Sequence, residues 1–303
     1  MLRTKELISV KFHTFITSIK LINLHPANQN QQLKKNISPK NPIGVFDSGI
    51  GGLTVAKSLF EILPNENIIY LGDTARLPYG TKSKETVTRY SIEITKFLLN
   101  KNVKMVVVAC NTASSVALPF LRKISDVSVL GVIKPGCKAA VAHTNNFKIG
   151  VIGTLGTIQS YAYKTQIHKI DRNIDVFQKA CSLFVQLAED GWTDNKIASM
   201  IAGEYLSEFK KMNIDTLILG CTHYPILRNT ISKVVGKKIK LIDSGEETAK
   251  EVKRILEQEK LLNSQKKKGK HKFYVTDFQK KFKEISERFL GQPIHDVKKV
   301  KLN

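Results

Sequence analysis

Two cysteines close similar β-branched runs: VVVAC ends on Cys110 and continues into Asn111-Thr112, and LILGC ends on Cys221 and continues into Thr222-His223. A free thiol ionises near pH ~8.5, and a helix N-terminus or neighbouring cation brings that toward neutrality, so a cysteine pair can hold one thiolate and one thiol together. That is what inverting a carbon acid requires, one group taking a proton from one face and its counterpart delivering a proton to the other. The segments that follow, NTASSV and THYPIL, carry the small and hydroxyl residues found where a strand turns into a helix. A lone cysteine at a strand end is ordinarily an inert small hydrophobe, but two in matching polar settings favour chemistry.

Other candidates flank this pair. In the loop Asp47-Ser48-Gly49-Ile50-Gly51-Gly52 the glycines let backbone N–H groups approach an anion, while Asp47 offers an acceptor for an ammonium group and Ser48 a hydroxyl for a carboxylate. A plain turn with a helix cap at Ser48 is the alternative. The loop has neither GxGxxG spacing nor a P-loop ending, which weakens a nucleotide reading. The stretch from Gly72 to Gly80, punctuated by Pro78 and Gly80, forms a second candidate site loop. Within it Asp73 reads equally as an Asx-turn residue and Arg76 as a surface charge. His223 could assist proton transfer beside Cys221 or be a hydrogen-bonded structural residue. Glu189, in the apolar run LFVQLAEDGW, starts a solvated helix face or is a buried acid tuning its neighbours.

Short apolar runs (IGVF, NIIYLG, VKMVVVAC, KIGVIG, TLILGC) alternate with amphipathic stretches such as TVTRYSIEITKFLLN and NKIASMIAGEYLSEFKKM. Continuous apolar strands alternating with helical periods predict parallel sheets covered on both faces, an α/β fold. An internal echo predicts two similar domains. Ile43-Gly44-Val45 leads to Asp47-Ser48 and returns 106 residues later as Ile149-Gly150-Val151 leading to Gly153-Thr154; the Cys110 strand returns 111 residues later at Cys221. Near-equal offsets in the same order imply mainly parallel sheets flanked by helices and related by a pseudo-two-fold, with the active site in the cleft between them.

The chain has 303 residues, 42% hydrophobic and 24% charged, within the range of globular proteins. Its formal charge of +22 is uneven: residues 1–41 carry seven Lys and Arg against one acid, and residues 264–303 carry twelve against four. These basic ends read as solvated tails, without the aromatic interleaving of a nucleic-acid surface, so no nucleic acid is required. Four scattered cysteines fit a reducing, cytoplasmic setting better than a disulfide framework. No CxxC pair occurs and no metal is expected. No apolar run of spanning length, about 18 residues, is present, so no membrane contact is expected. Residues 1–41 read as a basic, disordered extension in which 27–41 is a linker; an organellar leader and an overlong start assignment both stay open.

At the residues quoted, the chain resembles the glutamate racemases of the aspartate/glutamate racemase superfamily. The resemblance rests on PIGVFDSGIGGLTV, YLGDTARLPYGTKS, VVVACNTASSVAL, LILGCTHYPIL and, near the end, FYVTDF with RFLG, and runs from Pro42 to Leu302. It implies a cofactor-free, two-base exchange of L- and D-glutamate that supplies D-glutamate for bacterial peptidoglycan. Cys110 would take the proton from D-glutamate and Cys221 from L-glutamate. Asp47 and His223 match residues assisting the two thiols, and Asp73 and Glu189 match further acids near the site. Asp47, Ser48, Tyr79, Gly80, Asn111, Thr112, Thr222 and His223 match the substrate contacts. The resemblance also implies that the C-terminal segment completes the first domain, giving 42–133 plus 243–303 and 134–242. A homodimer is left open. The first forty residues have no family counterpart, and Gln186 replaces a proline-containing version of the stretch around Glu189. Competing readings are an aspartate racemase, a pyridoxal-phosphate racemase and a non-catalytic nucleic-acid-binding protein on this fold.

Overall fold

The computed structural model describes residues 37–294 and 296–302. The expected extension therefore lies outside the described residues up to position 36. The end of the expected linker, however, is fastened to the body: Asn41 Nδ2 donates to Asn102 O at 2.7 Å and Lys104 Nζ donates to Pro39 O at 2.6 Å. Order thus begins ahead of Pro42, because these backbone carbonyls and side-chain amides find partners on the domain.

The chain opens with β1 (Ile43–Asp47), α1 (Leu53–Ile62), β2 (Ile68–Gly72), α2 (Lys84–Leu99), β3 (Met105–Val108), α3 (Asn111–Val116), α4 (Leu118–Ile124), β4 (Ser128–Gly131) and α5 (Ile133–His143). It continues with β5 (Lys148–Gly153), α6 (Leu155–Gln159), α7 (Ala162–Ile170), β6 (Asp175–Ala180), α8 (Leu183–Asp190), α9 (Lys196–Lys211) and β7 (Thr216–Gly220). Then come α10 (Arg228–Val235), β8 (Lys240–Asp243), α11 (Ser244–Gln258), β9 (His271–Val275), α12 (Gln279–Leu290) and β10 (Val297–Lys299). No helix among the described residues is long and apolar enough to cross a membrane.

The strands form two parallel sheets, in the orders β10-β9-β2-β1-β3-β4 and β6-β5-β7-β8. The order 2-1-3-4 of the first recurs as 6-5-7-8 in the second, so the echo read in the sequence is an echo of topology. β9 and β10 extend the first sheet beyond β2, with Tyr70 in register with Phe273.

Alternation along the strands feeds a core on each face. In the first sheet Val45, Tyr70 and Val107 pack toward α1, α11 and α12, whereas Phe46, Leu71 and Val106 pack toward α2. Helix termini follow local chemistry. Ser83 caps α2 by accepting from Thr86 N, and Asn195 caps α9 by accepting from Ala198 N. The buried stripe Ala198, Ala202, Leu206 and Phe209 then recurs at helical spacing along α9.

Candidate active site

The C-terminal ends of β1, β3, β5 and β7 converge on one cavity of about 250 Å³. Among its lining residues are Ser48, Tyr79, Gly80, Cys110, Asn111, Thr112, Glu189, Cys221, Thr222 and His223. The volume lies below the roughly 300–1,000 Å³ of drug-sized sites, so the occupant is small.

Cys110 is the N-cap of α3, its sulfur accepting from Ala113 N at 3.4 Å while the thiol points at Ser48 Oγ, 3.7 Å away. Burial, with the nearby Asp47 charge adding to it, pushes this thiol up to about 12 despite the helix N–H, so Cys110 is protonated at neutral pH. Cys221 has a different neighbour: its sulfur lies 3.8 Å from His223 Nδ1. His223 Nε2 in turn meets Glu189 Oε1 at 3.0 Å. Burial alone would lower the His223 pKa, but Cys221 and Glu189 outweigh it and raise it to about 10. The ring is therefore an imidazolium at neutral pH, and its Nδ1 faces the Cys221 sulfur. The cavity thus holds one protonated thiol and one sulfur beside an imidazolium, contributed by equivalent strands of the two sheets.

The polar surroundings are tied together across the halves. Thr112 Oγ1 lies 2.9 Å from Thr154 Oγ1 and 3.2 Å from Thr157 Oγ1. Asn111 Oδ1 accepts from Tyr163 OH at 2.6 Å. Thr54 Oγ1 donates to Thr222 O at 2.9 Å, joining the first turn of α1 to the loop after β7. Gly51 makes that approach feasible, since any Cβ there would overlap the His223 ring and the Thr222 hydroxyl.

Two expected site residues stand behind the cavity wall. Asp47 is fully buried, accepts from Gly49 N at 3.0 Å and faces Thr222 Oγ1 at 3.5 Å. Desolvation raises its pKa above the usual carboxylate value, against the lowering effect of His223. Asp73 is also buried, and it receives the Tyr79 hydroxyl, Arg76 Nε at 2.7 Å and Thr276 Oγ1 at 2.9 Å. Its carboxylate thus holds Tyr79 in the wall and ties the loop to the end of β9. Arg76, read as a surface charge, also pairs with Glu93 and lies 4.0 Å from the Tyr90 ring centroid.

The cavity adds Thr154, Ser182, Val185 and Gln186, none singled out as site residues from the sequence. A signal for Thr154 was available, because the offset of 106 that relates β1 to β5 places it opposite Ser48. Gln186 Nε2 donates to Asp190 Oδ2 at 2.7 Å, one helical turn away on α8. Among the described residues no group of three or more His, Cys, Asp or Glu is arranged to hold a metal ion.

Comparison with known proteins places this geometry in a family. A glutamate racemase of Geobacter metallireducens is 50% identical over 264 residues, covering 87% of this chain and 98% of that protein. The crystal structure of glutamate racemase from Francisella tularensis in complex with D-glutamate matches with a TM-score of 0.82 at 44% identity, covering 88% of this chain and 99% of that one. Glutamate racemase isoform RacE1 from Bacillus anthracis matches with a TM-score of 0.84 at 42% identity, covering 86% and 98%. The family model for Asp/Glu/Hydantoin racemase matches residues 43–252, and with these relatives it shows that the chain belongs to the Asp/Glu/Hydantoin racemase family.

Proposed function

We propose that the chain is a glutamate racemase, interconverting L- and D-glutamate by proton exchange between two thiols without a cofactor. One observation carries this reading: Cys110 and Cys221 open onto a single small cavity, one as a protonated thiol and the other beside an imidazolium. Cys221 as thiolate takes the α-proton of L-glutamate, and Cys110 delivers its proton to the opposite face of the carbanion. D-glutamate reacts by the reverse transfers. His223, held by Glu189, balances the charge at Cys221, and Asp47 serves the Cys110 side. Asp73 acts through Tyr79. Ser48, Asn111, Thr112 and Thr222, with Tyr79 and Gly80, supply the hydroxyl, amide and backbone groups that orient the amino-acid carboxylates and ammonium. The relatives' shared name and the D-glutamate complex support glutamate over aspartate. Among the described residues lining the cavity there is no lysine, whereas a pyridoxal-phosphate racemase needs one for its Schiff base.

The same reading divides the chain into domains 42–133 plus 243–303 and 134–242, around the two sheets. It places the enzyme in the cytoplasm, supplying D-glutamate for peptidoglycan, with a homodimer as the assembly to test.

The test is purified protein with L-glutamate, D-glutamate and aspartate and no added cofactor. Glutamate reaches an equal mixture from either side, aspartate reacts at least about 10-fold more slowly, one methylene being worth ~1–3 kcal/mol, and the protein has no visible absorbance. Faster turnover of aspartate, or activity that needs pyridoxal phosphate, overturns the reading.

A further inference from the structure

The run RFLG, Arg288 to Gly291, lies at the end of α12 and contributes no residue to the cavity lining. It nevertheless touches the residues that surround Cys221. Arg288 Nη1 donates to the backbone carbonyl of Glu189 at 2.5 Å. Glu189 is the next-to-last residue of α8, whose C-cap is Gly191 at φ 78°. Carbonyls of a helix's last turn have no partner within the helix, and a cation there also complements the helix dipole. The guanidinium lies against Gly191, where an added Cβ would come within 2.7 Å of Arg288 Cζ. A side chain at 191 would therefore displace Arg288 as well as strain the left-handed turn.

The next residue, Phe289, is 1% exposed, and its ring meets His223 edge-on with centroids 5.5 Å apart at 85°. His223 is thereby bounded on several sides: Cys221 at Nδ1, Glu189 at Nε2, the Gly51 loop, and Phe289. Ala188, beside Glu189, packs into the same core as Phe282, Ile285 and Phe289. A helix packed on the first sheet thus reaches the end of α8 and the ring beside Cys221, both borne by the second sheet's half of the chain.

We propose that Arg288 and Phe289 are positioning residues for the Cys221 side of the reaction, Arg288 fixing the helix end that carries Glu189 and Phe289 fixing the plane of the His223 ring. The inference rests on the two-thiol reading. Neither residue touches the cavity; both act through the Cys221–His223–Glu189 series. The titratable groups facing His223 are Cys221 on its own loop, Glu189 on α8 and Asp47 at the end of β1; Phe289 adds an uncharged wall.

The experiment uses the full chain and the variants Arg288→Met, Arg288→Lys and Phe289→Leu. Each is alkylated with iodoacetamide near neutral pH, the modification of Cys221 and Cys110 is quantified by peptide mass, and turnover of L-glutamate is followed in parallel. Loss of the imidazolium's alignment lowers thiolate reactivity at Cys221. The Cys221-to-Cys110 labelling ratio is expected to fall at least about 5-fold in Arg288→Met and Phe289→Leu. Their kcat should fall roughly 10- to 100-fold with KM changed less than about 3-fold, as when a supporting group is lost. Arg288→Lys, which keeps a cationic donor, recovers most of both. A labelling ratio unchanged in Arg288→Met and Phe289→Leu overturns the proposal, as does equal loss at both thiols or failure of lysine to rescue. The labelling needs no turnover, so a parent inert toward glutamate would refute the racemase reading while the labelling ratio still decides the positioning role.

Discussion

On the two-thiol proposal, the contact between Glu189 and His223 is expected to set the alkaline limit of turnover, and Glu189→Gln is the substitution that isolates it. Both side chains are largely enclosed, with 8% and 15% of the His223 and Glu189 side chains exposed and 3.0 Å between Nε2 and Oε1. Two full charges at that distance interact by on the order of 5 kcal/mol at an effective dielectric near 20. Glutamine keeps a hydrogen bond worth ~1 kcal/mol, and partial exposure screens part of the rest, leaving a loss of roughly 3–4 kcal/mol. Each ~1.36 kcal/mol is one pH unit, so the imidazolium would deprotonate about 2–3 pH units lower than its value of about 10 in the parent. The sign follows from the direction of the shift: His223 is raised by its partners, so the charged ring persists below that pH and is lost as pH rises through it. kcat/KM for L-glutamate, measured from about pH 6 to about pH 11, therefore loses its alkaline arm near pH ~7–8 in Glu189→Gln. Titration of the substrate ammonium is common to both proteins and cancels in their ratio. An alkaline arm that stays in place refutes the charge-pair reasoning.

Two further perturbations test the wall and the frame. Gly80→Ala places a Cβ 2.8 Å from Thr154 Cβ, so the lips of the cavity must separate, and kcat/KM should fall on the order of 10²-fold while the thermal midpoint changes little. Lys104 pairs with Glu66 at 2.5 Å with both side chains almost completely enclosed, so Lys104→Met leaves an unpaired buried carboxylate. Urea unfolding of that variant should show a loss of about 3–5 kcal/mol, partly recovered in the double variant with Glu66→Gln, because Lys104 also donates to Pro39 O and Leu261 O.

The parts of the fold that were legible in the sequence are those with local signatures. β1, β3, β5 and β7 are interior strands, and continuous apolar runs marked them; their offsets implied two similar halves, though not the strand orders 2-1-3-4 and 6-5-7-8 themselves. β6 escaped notice because it is an edge strand, half-buried and carrying Asp175, Gln178 and Lys179. β9 and β10 pair with strands some 200 residues or a helix away, which no local period encodes; only family resemblance implied that the C-terminal segment completes the first domain. The cysteines, the Gly51 loop and His223 were visible as motifs. The Glu189–His223 contact, 34 residues apart in sequence, and the Asp73–Tyr79–Thr276 set are products of tertiary packing. Arg76 illustrates the difference: its composition suggests a solvated cation, while in the fold it is a tie between Asp73, Glu93 and the Tyr90 ring.

The direct test of the two-thiol exchange is the fate of the α-hydrogen in D2O. Protonated L-glutamate is given to the parent, to Cys110→Ala and to Cys221→Ala, and both enantiomers are analysed by mass and proton NMR while conversion is small. The parent is predicted to form D-glutamate carrying deuterium at Cα, with the remaining L-glutamate still protiated, and each variant to lose interconversion by orders of magnitude. D-glutamate that retains the original proton, or a cysteine variant that still racemises at the parent rate, contradicts it.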